Sequence, residues 1–287
     1  MSTRISVIGM GTMGVGIAQI LIASGYEVMW LGHNKNSVEA GLAGIDASLH
    51  KAVKKGMMTE QKMTDAKGML STTTEYKDIE GSEAIIEAVK ESVDVKIDVL
   101  RSADRHRGHS IIATNTSSIS ITRLSEALED KGAFLGMHFF NPAPVMKLVE
   151  LVVTEHTSEE AEGRARSIAN ACGKTAVRVN DYPGFIANNI LIPMLYEAAI
   201  LLERNVAEKE GIDTIARLGL NHPMGPFELA DFIGLDVCKE MADSIYDATK
   251  DERFKTPDSI KGMVAAGKLG RKTGEGFYIY KEGRQGA

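Results

Sequence analysis

A short apolar run, Arg4 to Ile8, passes directly into Gly9, Gly11 and Gly14, with Gly16 beyond. Met13, Ile17, Ile20 and Leu21 then recur at helical spacing until Gly25 ends the pattern, and a second run follows from Glu27 to Leu31. No other feature narrows the fold as far. Strand, glycine turn, amphipathic helix and strand make the first unit of a dinucleotide-binding sheet. The first glycine permits the tight turn, the second lets the backbone approach a pyrophosphate, and the third allows close packing of helix on strand. The helix N-terminus, with Thr12 and Met13 in its first turn, then faces the anion. Glycines also make ordinary tight turns, so the placement between a strand and an amphipathic helix is what gives the pattern its weight.

One expected feature is missing. About 20 residues past the glycines, such folds carry an acid for the ribose hydroxyls, yet here the run ends in Gly32, His33, Asn34 and Lys35. Without that carboxylate a 2′-phosphate meets no repulsion, and His33 or Lys35 would attract one. NADP therefore stays open beside NAD.

Further apolar runs lie at Ala84 to Ala88, Ile111 to Thr114, Ala133 to Met137, Leu148 to Val153 and Thr175 to Val179, separated by helical or turn segments. This predicts an α/β fold, a doubly wound and mostly parallel Rossmann-type sheet with an irregular far edge. Ligands in such sheets bind outside the carboxyl ends of the strands. Glu87 to Glu91, Asn115 to Ser118 and His138 to Asn141 each fall just past a strand-like run, so three polar clusters converge on one crevice. Asp181, Tyr182, Pro183 and Gly184 form a compact breaker. It separates a dinucleotide-binding domain, 1–183, from an all-helical C-terminal domain for substrate and dimerisation, 184–287. In the latter, Phe185 to Arg204 reads as a long apolar helix interrupted only by Pro193, and helical patterns continue through Lys268. Apolar surface around Ile190 to Leu202 predicts burial against a second copy, as in a homodimer.

A length of 287 residues favours two domains, and 44% apolar residues suffice for their cores. No apolar run is long enough to span a bilayer, and MSTRISVIGMG enters a strand with no signal-peptide pattern, which predicts a cytoplasmic protein and no membrane partner. A net charge of −6 argues against broad nucleic-acid binding. Cys172 and Cys238 sit in no metal-ligand spacing, so neither a disulfide framework nor a metal site is expected. Anionic ligands need local basic patches instead. Lys51, Lys54 and Lys55, near Ser48 in the helical segment Ser37 to Met69, read either as a solvated face or as a phosphate patch for a long anionic substrate.

The chemistry is placed in GMHFFNPAPVMKLVEL, Gly136 to Leu151. An apolar run delivers His138 near its end, Pro142 and Pro144 force a turn, and a second strand carries Glu150 among Leu148, Val149, Leu151 and Val152. A carboxylate in such a run needs a partner. Paired with His138 it would hold a general base in one tautomer, although spacing alone allows a purely structural pair. Ser117 could cap the following helix or hydrogen-bond a substrate oxygen. In the tail GRKTGEGFYIY, Lys272 could reach a cofactor.

Taken together, VIGMGTMGVGIAQ, ATNTSSISIT, GMHFFNPAPVMKLVEL, PGFIANNI, NHPMGPFEL and GRKTGEGFY resemble, in order and over almost the full length, the short-chain 3-hydroxyacyl-CoA dehydrogenase family, including its stand-alone bacterial 3-hydroxybutyryl-CoA dehydrogenases. The resemblance implies His138 as catalytic base, Glu150 as its orienting carboxylate, and Ser117 and Asn188 as contacts to the reacting oxygen. It implies Glu91, Lys96, Ser117, Asn141 and Lys272 as cofactor-holding, and Ser48 and Lys55 as close to the CoA of an acyl-CoA substrate. Gly32 departs from the aspartate usual in the family and leaves the cofactor preference open. A dehydrogenase of a free hydroxy or sugar acid, or a nucleotide-binding protein without turnover, are the alternatives.

Overall fold

The computed structural model describes residues 3–280, and the chain divides between Tyr182 and Pro183 into two compact units. The first unit is built on eight strands: β1 Arg4–Ile8, β2 Glu27–Leu31, β3 Leu70–Thr73, β4 Ala84–Glu87, β5 Ile111–Thr114, β6 Phe134–Phe139, β7 Leu148–Val153 and β8 Thr175–Asn180. Its helices are α1 Thr12–Ala23, α2 Lys35–Lys54, α3 Glu60–Gly68, α4 Val93–Asp104, α5 Ile121–Ser125 and α6 Glu159–Ala171. The strand order is β3-β2-β1-β4-β5-β6-β7-β8. The order reverses between β1 and β4, which is where such a sheet opens a ligand crevice.

Burial explains which runs became central strands. β4 and β5, AIIE and IIAT, are buried at every position, as parallel strands covered on both faces must be. The irregular far edge is a reversal: β6 and β7 pair antiparallel, β7 and β8 pair parallel, and so these two strands run against the other six. β3 was not expected. Its sequence, LSTT, carries one apolar residue and is only half-buried, as suits a short edge strand. The segment expected to be helical throughout, Ser37 to Met69, is split into α2 and α3, and Thr59 restarts the helix by accepting from Lys62 N at 3.2 Å.

In the second unit α7 Ala187–Glu203, α8 Lys209–Gly219, α9 Pro226–Ile233, α10 Leu235–Thr249 and α11 Asp258–Ala265 enclose a core that includes Ile192, Leu195, Tyr196, Phe227, Leu235 and Phe254. Two buried aspartates organise its turns. Asp213 accepts from Phe227 N and Glu228 N at 2.9 and 3.1 Å and so caps α9 in the NHPMGP turn. Asp231 accepts from Phe277 N, Tyr278 N and the Tyr280 hydroxyl at 2.9, 2.8 and 3.0 Å, and burial raises its pKa despite these donors. The glycines of the tail make this wrap feasible, because a Cβ on Gly276 would stand 2.0 Å from Asp231 Oδ1. The glycine-rich tail is therefore an integral part of the helical unit. No helix among the described residues is long and apolar enough to cross a membrane.

Candidate active site

Three glycines show whether the β1–α1 turn can hold a dinucleotide. Gly9 has φ +114°, in the region that favours glycine, and a Cβ there would meet Ala88 O of the neighbouring strand end at 2.5 Å. A Cβ on Gly14 would lie 2.0 Å from Gly9 O, so only glycine lets α1 close on the turn. Gly11, the N-cap of α1, has nothing within 4 Å of an added Cβ, which leaves open space in front of the helix N-terminus where a pyrophosphate would lie. Trp30 Nε1 donates to Gly9 O at 2.8 Å and pins the turn from below. Thr12 and Met13 occupy the first turn of α1, and His33 and Asn34 lie exposed just past β2. The residues present fit a bound dinucleotide.

Beside this turn, a second polar centre forms around Glu91. Its carboxylate accepts from Thr116 Oγ1 at 2.5 Å, Ser117 N at 2.9 Å, Ser118 N at 3.2 Å and Ser117 Oγ at 3.4 Å. Burial works against the charge, yet Lys96 and these donors outweigh it and hold the Glu91 carboxyl below the usual carboxylate range. Lys96 itself is fully buried on α4, with Nζ 2.8 Å from Glu87 Oε1 and 3.5 Å from Glu91 Oε2. With its side chain fully buried, Lys96 bridges Glu87 and Glu91 beneath the loop that carries Glu91. The helix after Ser117 is capped instead by Ser120 and Asp181: Ser120 Oγ accepts from Arg123 N at 3.2 Å, and Asp181 accepts from Ile121 N and Thr122 N at 3.1 and 2.8 Å. The capping role considered for Ser117 thus belongs to its neighbours.

The third centre follows from strand register. β6 and β7 place His138 directly opposite Glu150, and His138 Nδ1 lies 2.7 Å from Glu150 Oε2, with the two side chains 8% and 3% exposed. A carboxylate accepts, so Nδ1 carries the hydrogen and the ring's lone pair lies on Nε2. The ring packs against Phe140 at a centroid distance of 4.5 Å. β6 extends one residue past His138, so the histidine sits inside the strand's last turn of pleat rather than in the loop. Asn115 Oδ1 accepts from Phe139 N at 2.9 Å and ties the ends of β5 and β6 together.

Asn141 opens the loop to β7 with a cis peptide to Pro142. Lys174 holds this loop. Its ammonium donates to Ala143 O at 2.6 Å and Met146 O at 2.7 Å, and burial lowers its pKa. From the other side Gly16 makes room, since a Cβ there would stand 3.0 Å from Ala143 Cβ. Lys174 was not singled out from the sequence, because its partners are backbone carbonyls that carry no sequence signal; Asn115 falls in one of the polar clusters expected just past a strand.

The remaining positions fall as follows. Ser48, on α2, donates to Gln19 Oε1 of α1 at 2.6 Å, which leaves its oxygen able only to accept. Lys55 is the exposed C-cap of α2 beside Lys51 and Lys54. In the second unit Asn188 is buried in the first turn of α7, and Lys272 Nζ lies 2.6 Å from the Asp236 carboxylate. Among the described residues no group of three or more His, Cys, Asp or Glu could hold a metal ion.

Residues 4–182 match the family model for the "3-hydroxyacyl-CoA dehydrogenase, NAD binding domain", and residues 184–280 match the one for the "3-hydroxyacyl-CoA dehydrogenase, C-terminal domain". The chain is 39% identical over 280 residues to a probable 3-hydroxybutyryl-CoA dehydrogenase of Bacillus subtilis, covering 97% of this chain and 98% of that protein. It is 40% identical to the human mitochondrial hydroxyacyl-coenzyme A dehydrogenase, covering 97% and 91%. Among solved structures, (S)-3-hydroxybutyryl-CoA dehydrogenase from Ralstonia eutropha is similar with a TM-score of 0.93 at 39% identity, covering 98% of this chain and all of that one.

Proposed function

The chain belongs to the 3-hydroxyacyl-CoA dehydrogenase family, oxidoreductases with an NAD-binding domain, and from that premise we propose that it interconverts (S)-3-hydroxybutyryl-CoA and acetoacetyl-CoA. The observation that carries this reading is the 2.7 Å contact between His138 and Glu150, at the same end of the sheet as the glycine turn. The bound nicotinamide supplies the hydride acceptor or donor. In oxidation His138 Nε2 takes the hydroxyl proton, and Glu150 stabilises the imidazolium through Nδ1. In reduction the imidazolium returns that proton to the forming alkoxide. Ser117 and Asn188 are assigned to the reacting oxygen, and Glu91, Asn141 and Lys272 to the cofactor, with Lys96 setting the charge and position of Glu91. Ser48 and Lys55 are assigned to the CoA moiety, where the basic end of α2 suits phosphate groups.

Oxidation of NADH with acetoacetyl-CoA, run beside free acetoacetate, tests the substrate class. Turnover should require the CoA ester. Equal rates on the free acid would instead indicate a hydroxy-acid dehydrogenase, and no turnover with any acyl-CoA would leave only a nucleotide-binding protein.

A homodimer through the helical unit is part of the same proposal. Ile190 on α7 is 66% exposed, and Leu218 and Leu220 at the end of α8 are 83% and 64% exposed, an unusual amount of apolar surface for one small unit to leave in water. Sedimentation at micromolar concentration should give twice the chain mass, and Leu218→Glu should shift it toward the monomer; a monomeric parent protein would refute the assignment. Both cysteines are free, which fits a reducing compartment, and a cytoplasmic location is proposed on that ground, with cell fractionation as its check.

A further inference from the structure

In sheets of this kind the adenosine ribose is read at the end of the second strand, by the residue that follows it. Here that residue is Gly32, and backbone hydrogen bonds place it beside the glycine turn. Gly9 N donates to Leu31 O at 3.0 Å, and Gly32 N donates to Thr73 O at 2.9 Å on the opposite side. There is no room for a side chain at this point. A Cβ on Gly32 would stand 2.7 Å from Val38 Cγ2, 2.9 Å from Ser37 Oγ and 3.2 Å from Met10 Cε.

Ser37 is not loose enough to give way. It forms a reciprocal cap with Asn34, in which Ser37 N donates to Asn34 Oδ1 at 2.9 Å and Asn34 N donates to Ser37 Oγ at 3.1 Å. The first turn of α2 therefore fills the place where the stem of a ribose-binding acid would lie. His33, Asn34 and Lys35, which follow, are all exposed, and the first acid along the chain is Glu39, more than a helical turn into α2. A carboxylate at the strand end does two things: it accepts from the ribose hydroxyls and it repels a 2′-phosphate. This chain lacks both effects, and the nearest lysine along the chain is Lys35, exposed in the first turn of α2.

We infer that the dinucleotide site accepts the 2′-phosphorylated cofactor NADP(H) as well as NAD(H), with Gly32 removing the discrimination and Lys35 favouring the phosphate. The inference rests on the dehydrogenase reading above for the existence of the site, and concerns only which dinucleotide the site selects. Calorimetric titration of the full chain with NADH and NADPH, and with 5′-ADP and 2′,5′-ADP as fragments that lack nicotinamide, measures the selection without turnover. The Kd for NADPH should fall within about tenfold of that for NADH, and 2′,5′-ADP should bind at least as tightly as 5′-ADP. Lys35→Glu, at an exposed position, should raise the NADPH-to-NADH Kd ratio by about tenfold, the scale of one charge pair near a surface. NADPH binding more than tenfold weaker than NADH, or a ratio that Lys35→Glu leaves unchanged, overturns the inference while the dehydrogenase reading stands. Failure to bind either dinucleotide overturns both.

Discussion

Replacing His138 with Gln should lower kcat by a factor of roughly 10² to 10⁴, the usual cost of losing a positioned acid–base group, while leaving the fold in place. Glutamine keeps most of the volume and can donate an amide hydrogen to Glu150, so the buried carboxylate retains a partner across the β6–β7 pair. What it cannot do is exchange a proton at the position of Nε2. The corresponding rise in barrier is about 3 to 5 kcal/mol, large against any change expected in KM for acetoacetyl-CoA.

The prediction separates two accounts of the same contact. If the pair served only to satisfy two buried polar groups, His138→Gln would melt much as the parent does and also turn over at a near-normal rate. Glu150→Gln provides the complementary readout. Its amide no longer stabilises an imidazolium and no longer selects the tautomer with hydrogen on Nδ1, so catalysis weakens and the pH profile of kcat changes shape while the melting curve moves little. A structural pair would reverse that pattern, with stability lost and activity per folded molecule kept.

The parts of this site that were legible beforehand are those written as local pattern. The glycine turn announces itself because two of its three glycines are demanded by a nearby backbone atom, Ala88 O for Gly9 and Gly9 O for Gly14, and because the flanking runs show the periods of strand and helix. His138 and Glu150 were found through a polar residue in each of two apolar runs joined by a proline turn. The reversal of β7 and β8 is less visible, since an apolar run has no direction. β3 was missed because an edge strand needs no apolar run. The burial of Lys96 is not written in its helical segment, and only the packing of α4 on β4 shows that it lies against Glu87. Lys174 had no signature at all, because its partners are two carbonyl oxygens of the Ala143–Met146 turn. The role of the tail was hidden for a related reason. Its pattern shows basic residues and glycine turns, and only the structure shows that the glycines permit close wrapping around Asp231.

Lys96→Met should destabilise the sheet unit by about 3 to 5 kcal/mol, the cost of breaking one side of a buried ion pair, and lower its melting temperature by roughly 6 to 20 °C for a unit of this size. Lys96 and Glu87 both have side chains with no exposure. Thr114 Oγ1 and Val89 N would still donate to Glu87, at 2.6 Å each, but neither neutralises its charge. Replacing both partners is a different case, because a buried pair exchanged for uncharged groups of similar size is often neutral or better. The double variant Glu87→Gln with Lys96→Met should therefore recover most of the loss, and the two substitutions should be strongly non-additive. Acid should narrow the gap between parent and Lys96→Met. Glu91 has a pKa lowered from its ordinary value of 4.5, with Lys96 the main opponent of its burial; the stability this contributes to the parent is present above pH 4.5 and is lost as pH falls through the lower folded value. The variant lacks much of that contribution, so its curve falls less steeply. A Lys96→Met protein that melts within 2 °C or so of the parent near pH 7, or a double variant no more stable than the single one, would mean that this lysine does not hold the carboxylates beneath the cofactor loop.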